Sequence, residues 1–129
     1  MGENLKNRPQ ELTKAELEIM QIIWKKEKVL VHDILAEFPE PKPAYNTVST
    51  IVRILENKGF VSHKAYGRTY EYFPAVAKED YTNSYMKNVL NNFFDGSVSR
   101  MVNFFSAQKS ISLEETDEIL KILNGGSGA

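Results

Sequence analysis

The side chains best suited to recognition chemistry in this chain fall within nine positions: Tyr45, Asn46, Thr47, Ser49, Thr50 and Arg53. Their groups are hydroxyls, an amide and a guanidinium. Amides and guanidinia pair with base edges in a major groove, and short hydroxyls reach bases or phosphates. No acid interrupts the set before Glu56. A helix face shaped only for solubility would interleave Glu and Lys, so this composition predicts contact with a duplex. The residues that would support catalysis are missing. There is no cysteine, which excludes disulfides, thiolate nucleophiles and thiolate metal sites. Only His32 and His63 are present, no glycine-rich phosphate loop occurs, and no acid pair stands apart. The expectation is a binding protein with no enzymatic activity, no cofactor and no metal.

The element that must present these groups is Pro41 to Phe60, read as one helix. Pro43 suits its first turn, and Gly59 suits a left-handed stop. Val48, Ile51, Val52 and Leu55 recur at helical spacing and predict a buried stripe opposite the polar set. Upstream, Thr13 and Glu16 form a capping box that opens a first helix to about Lys26, with Leu17, Met20, Ile23 and Trp24 facing the core. Val29 to Val31 is a brief β-branched run. A second helix is expected over His32 to Phe38, ended by Pro39, Pro41 and Pro43. Downstream, two alternating runs, Phe60 to Ala65 and Tyr70 to Phe73, flank Gly67 and predict a β-hairpin closed by Pro74. Three helices and a hairpin in this order predict a winged helix-turn-helix. His63, Lys64 and Arg68 fall on or beside the wing, where cations meet phosphates. Lys42 is placed with them.

Net charge is −1. The charges are unevenly spread: Pro41 to Tyr70 carries five cations against Glu56, a net of +4, and Leu113 to Leu123 is acidic. A basic middle and an acidic end predict that one part meets a polyanion and the other does not. From Ala77 the chain turns aromatic and helical. Tyr81, Tyr85, Val89, Phe93 and Phe94 precede a break at Asp95-Gly96-Ser97. Met101, Phe104 and Phe105 belong to a second short helix. A capping box at Ser112 and Glu115 opens a third, with Ile119, Leu120 and Leu123 on one side. Three short helices cannot enclose so many aromatics alone, so they are read as a homodimerisation arm. The fold class is therefore mainly α with a small β-hairpin wing. Its parts are a flexible arm over 1–11, a winged-helix domain over 12–75, a three-helix dimerisation domain over 76–124 and a flexible tail over 125–129. No run is long enough to span a membrane and the N-terminus lacks an apolar signal core, which predicts a cytoplasmic chain with no membrane partner.

LTKAELEIMQIIW, NTVSTIVRILENKGFV and YGRTYEYFPAV together resemble the penicillinase and methicillin-resistance repressor family, which also includes copper-transport repressors. The resemblance covers Leu12 to Leu123. Its most specific elements are Thr47-Val48-Ser49-Thr50, Arg53 and Lys58-Gly59, with Gly67-Arg68-Thr69-Tyr70-Glu71-Tyr72. It implies transcriptional repression by a homodimer on a palindromic double-stranded operator. In the β-lactam branch it also implies release by a sensor-linked protease that cuts the arm at an Asn-Phe bond. Asn103-Phe104 is that dipeptide here, although a gap-free count puts the family's bond at Phe104-Phe105. The copper branch implies cysteine ligands, which this chain lacks. Two other readings stand beside repression: a winged helix used for protein interaction, and a regulator responsive to a small molecule held among Tyr81, Tyr85, Phe93 and Phe94.

Overall fold

The structure, a computed structural model, describes residues 11–108 and 112–125, with the side chains at 120 and 123–125 left out. The expected N-terminal arm up to residue 10, the tail from 126 and the side chains of Leu120 and Leu123 lie outside the described residues. Three helices come first: α1 (Lys14–Lys26), α2 (Val31–Ala36) and α3 (Tyr45–Asn57). A hairpin of β1 (Val61–Tyr66) and β2 (Thr69–Pro74) follows, then α4 (Lys78–Phe93), α5 (Val98–Ala107) and α6 (Leu113–Gly125). The strands pair antiparallel, with His63 opposite Tyr72 and Lys64 opposite Glu71. Val29 adds a single bridge to Tyr72, exchanging both backbone hydrogen bonds at 2.9 and 2.7 Å. This is a winged helix followed by three further helices.

Local signals account for most element ends. Thr13 Oγ1 accepts from Glu16 N while Glu16 Oε1 accepts from Thr13 N, closing the capping box of α1. Ser112 and Glu115 do the same for α6 at 3.1 and 3.2 Å. Gly59 has φ +87°, and Phe60 N donates to Leu55 O, the turn that ends α3. Gly67 has φ +64° in the two-residue hairpin turn.

Several element ends shift by one to four residues from the sequence reading, with Pro74 inside β2 opposite Val61, and two helix starts show the cause. Pro43 does not occupy the first turn of α3. Ala44 keeps an extended backbone and its carbonyl takes the first helical N–H groups, from Thr47 and Val48, so the helix begins at Tyr45. The second helix is shifted to Val31–Ala36, because Asp33 accepts the Leu30 N–H at 2.9 Å and sets the start one residue earlier.

The chain divides into two compact units between Tyr85 and Met86, within α4. The core of the first comes from α1 (Ile19, Met20, Ile23), α2 (Val31, Ile34), α3 (Val48, Val52, Leu55) and the wing base (Phe60, Val61, Tyr72). Trp24, expected to anchor this core, packs at its edge and donates Nε1–H to Val76 O at 2.8 Å. Tyr81, expected on the dimerisation arm, belongs to this unit. Its ring lies 5.6 Å from Phe60 and 6.1 Å from Trp24, and its hydroxyl accepts the Leu12 N–H. In the second unit Val102 is the one buried residue among those described. Phe94 packs edge-on against Phe104, while Phe93, Phe104, Phe105, Leu113 and Ile122 remain exposed.

Candidate nucleic-acid interface

The stripe of α3 dictates what its other face can do. Val48, Val52 and Leu55 are buried and Ile51 half-buried, which turns Asn46, Thr47, Thr50 and Arg53 outward. Ser49 and Tyr45 flank this face on the side of the wing. They line a groove of about 540 Å³ between α2, α3 and the hairpin, shared with His32, Arg53, Arg68 and Tyr70. Two guanidinium groups and several hydroxyls and rings therefore converge on one concave surface. An exposed helix face beside such a groove has the dimensions and donor content for a major groove with an adjoining phosphate backbone.

The cations expected on this surface divide by task. Arg53 is exposed on α3, and Arg68 is exposed in the turn that closes the wing. Lys64 is exposed on β1 with its ammonium 5.4 Å from the Tyr66 ring. Lys42, placed among the phosphate contacts by the sequence reading, instead donates to the carbonyls of Phe38, Leu35 and Ala36, at 2.5, 3.1 and 3.5 Å. These carbonyls close the last turn of α2 and the residues just after it, where the negative end of a helix attracts an ammonium. His63, placed with the same set, is half-buried. Its Nδ1 lies 2.6 Å from Glu56 Oε2, and its ring stacks on Tyr70 at 4.0 Å and 11°.

Lys58 also counts toward the basic middle but faces inward. Its ammonium donates to both carboxylate oxygens of Glu16, at 2.8 and 3.0 Å. Burial alone would raise the Glu16 pKa; hydrogen bonds from Lys58 and Thr13 outweigh it and hold the carboxyl below the ordinary value of 4.5. The pair ties the start of α1 to the end of α3, and so fixes how α3 is held.

Two residues of this surface, Ile54 and His32, are not among the contacts expected from the sequence. Ile54 is exposed at 39%, seven residues after Thr47 and on the same side of α3. Its place off the buried stripe was the available signal, and an apolar side chain there suits a thymine methyl. His32 stacks against Tyr45 at 4.9 Å and forms the α2 wall of the groove, a placement no local pattern announces.

With this geometry established, comparison with known proteins decides the lineage. The sequence profile of the family described as Penicillinase repressor matches residues 12–125, nearly the whole chain. This chain belongs to the penicillinase repressor family. Within the family, the penicillinase repressor of Bacillus licheniformis is 31% identical over 120 residues, covering 92% of this chain and 93% of that protein. The methicillin resistance regulatory protein MecI of Staphylococcus aureus (strain N315) is 29% identical over 119 residues, covering 92% and 97%. A solved DNA-binding domain of the repressor BlaI is similar at 29% identity and a TM-score of 0.49, over 57% of this chain and 90% of that one. The family match runs through both units of this penicillinase-repressor chain, so it includes the aromatic arm as well as the wing.

Removing Arg68 tests the wing. If Arg68 meets a phosphate, Arg68→Ala is expected to lower the slope of log affinity against log salt by about one. Duplex titrations at several salt concentrations measure it. An unchanged slope removes Arg68 from the contact set.

Proposed function

We propose that this chain is a DNA-binding transcriptional repressor that works as a homodimer, each copy laying α3 in the major groove of one operator half-site. The observation that carries the reading is the exposed, acid-free face of Asn46, Thr47, Thr50 and Arg53 on a helix held rigid by its opposite stripe. Membership of a repressor family supports it. Ser49 and Tyr45 sit at the groove edge, and Arg68 and Lys64 on the wing take flanking phosphates. His63 and Lys42 support the surface rather than join it. Such a protein acts where the chromosome is, in the cytoplasm.

The dimer is supported by the second unit. Helices α5 and α6 bury one described residue between them and leave Phe93, Phe104, Phe105, Leu113 and Ile122 uncovered. A unit this small gains its stability from a second copy. Two copies present the same helix to two half-sites, which favours a palindromic operator. Phe93 is 76% exposed, so Phe93→Asp leaves the fold of the single chain intact. It is expected to weaken dimerisation at least roughly tenfold, the scale of one interface anchor. Sedimentation velocity across a dilution series measures this; an unchanged dimer overturns the arm as interface. Relief of repression by a sensor-linked protease acting at Asn103-Phe104 is compatible with both residues being exposed on α5.

The decisive experiment is fluorescence-anisotropy titration of the purified chain with its own promoter DNA and with random duplex. Arg53→Ala and Thr47→Ala are each expected to weaken promoter binding by about 1–3 kcal/mol, with less effect on random DNA. Equal binding by both variants and the unaltered chain overturns the assignment of this face.

A further inference from the structure

We infer that Glu56, His63 and Tyr70 form a positioning staple that sets the angle between the wing and α3, and that Glu56 and His63 act on DNA through this geometry without touching it. The proposal rests on the reading that α3 and the wing meet one duplex.

Three observations carry it. The first is the bond itself. Glu56 lies in the last turn of α3 and His63 is the third residue of β1, and the two side chains are 2.6 Å apart, each about 30% exposed. A carboxylate only accepts, so Nδ1 carries a proton and donates. Neutral imidazole in this tautomer and the imidazolium cation both satisfy the bond. The second is the stack. His63 pairs in register with Tyr72, and its ring lies flat on Tyr70, the residue two places away on β2. Tyr72 is buried and anchored to Val29 through its backbone, and its ring is 5.7 Å from His63. The imidazole is therefore held from α3 and from both ends of a ring cluster on the hairpin. The third is position. Every residue from Lys64 to Thr69 is exposed, and Tyr70, also exposed, is held by its stack on His63. His63 and Tyr70 are thus the last fixed points before the wing projects, and Arg68 depends on them for its direction.

The charge pattern explains why this needs a specific device. Glu56 is the only acid between Pro41 and Tyr70, and it borders the groove that also holds Arg53 and Arg68. An unengaged carboxylate there would repel a polyanion. Bonded to His63, its carboxylate accepts an N–H at the edge of the groove and serves a structural contact. Holding α3 and the wing at a set angle removes the ordering cost of bringing two linked contacts onto one duplex.

The test uses the sign of the Glu56 substitutions. Glu56→Ala removes a negative charge, yet it is expected to weaken promoter binding roughly two- to tenfold, the ordering cost of one or two side chains. Glu56→Gln keeps an acceptor for His63 Nδ1 and is expected to bind as the unaltered chain does, or tighter. His63→Ala is expected to match Glu56→Ala without changing the salt slope. The double variant is expected to lose no more than either single one, because one interaction is lost in all three. Thermal melts show whether each variant is folded. If Glu56→Ala does not fold, His63→Ala and hydroxyl-radical protection of the DNA flanks decide: lost flank protection with the α3 footprint kept supports the staple. Glu56→Ala binding as well as or better than the unaltered chain overturns it. So does a His63→Ala slope lowered by about one, which marks a direct phosphate contact. An unaltered chain that binds no duplex overturns the underlying reading together with the staple. Binding that is lost in Arg53→Ala but untouched in Glu56→Ala overturns the staple alone.

Discussion

Leu55→Ala is expected to lower the unfolding free energy of the first unit by about 2–5 kcal/mol. Leu55 has no exposed surface and lies in one cluster with Ile19, Met20, Ile23, Val48 and Val52. Its removal leaves a cavity bounded by α1, α3 and the wing base, which are tied together there and cannot collapse freely. Its carbonyl also receives the Phe60 N–H that ends α3, so relaxation of the backbone would disturb the helix stop. Urea denaturation followed by circular dichroism should show a lower midpoint with an unchanged slope. A loss under about 1 kcal/mol would mean the site repacks, and that α3 is less rigidly seated than its stripe implies. Arg53→Ala makes the contrast: an exposed change should leave stability within about 0.5 kcal/mol while weakening DNA binding.

The second large effect is expected from Lys58→Met. Its partner Glu16 has a side chain only 7% exposed, and Lys58 itself is 25% exposed. Breaking a fully buried pair by removing one member costs about 3–5 kcal/mol, and the partial exposure of Lys58 brings the expectation to about 2–3 kcal/mol. The sign with pH is fixed by the depressed Glu16 carboxyl. In the unaltered chain the pair contributes fully above the ordinary value of 4.5, and that contribution is lost as pH falls through the lower, folded value. In Lys58→Met the burial of Glu16 is unopposed by the ammonium, so protonation of the carboxyl relieves the variant. The stability gap between the two chains should therefore be widest near neutral pH and close as pH falls below the ordinary carboxylate range. A gap independent of pH would show that Lys58 acts through packing of its stem. Replacing both partners with methionine should recover most of the loss, since no charge is then left buried alone.

The features legible from residue order share one property: their partners lie within a few positions. The Thr13–Glu16 and Ser112–Glu115 capping boxes, the Gly59 stop, the Gly67 turn and the Val48-Val52-Leu55 stripe all close over short separations, so pattern alone specifies them. The polar face of α3 follows from that stripe, because a helix with one buried side must expose the other. The start of α3 was misread because a proline fits a first turn equally well when it precedes the helix. Only the extended backbone of Ala44 separates the two cases.

The order of residues by itself determined three helices and a hairpin, an acid-free polar face on α3 and an aromatic C-terminal segment. Tertiary structure alone decided how the charged and aromatic groups are used. Lys58 turns to Glu16 across forty-two residues, Tyr81 joins Trp24 and Phe60, and Lys42 reaches back to the carbonyls of Leu35 and Phe38. His63 is committed to Glu56. A cation in a sequence is only a donor in search of an acceptor. Which acceptor it finds depends on which elements the core has packed side by side, and no local pattern carries that information.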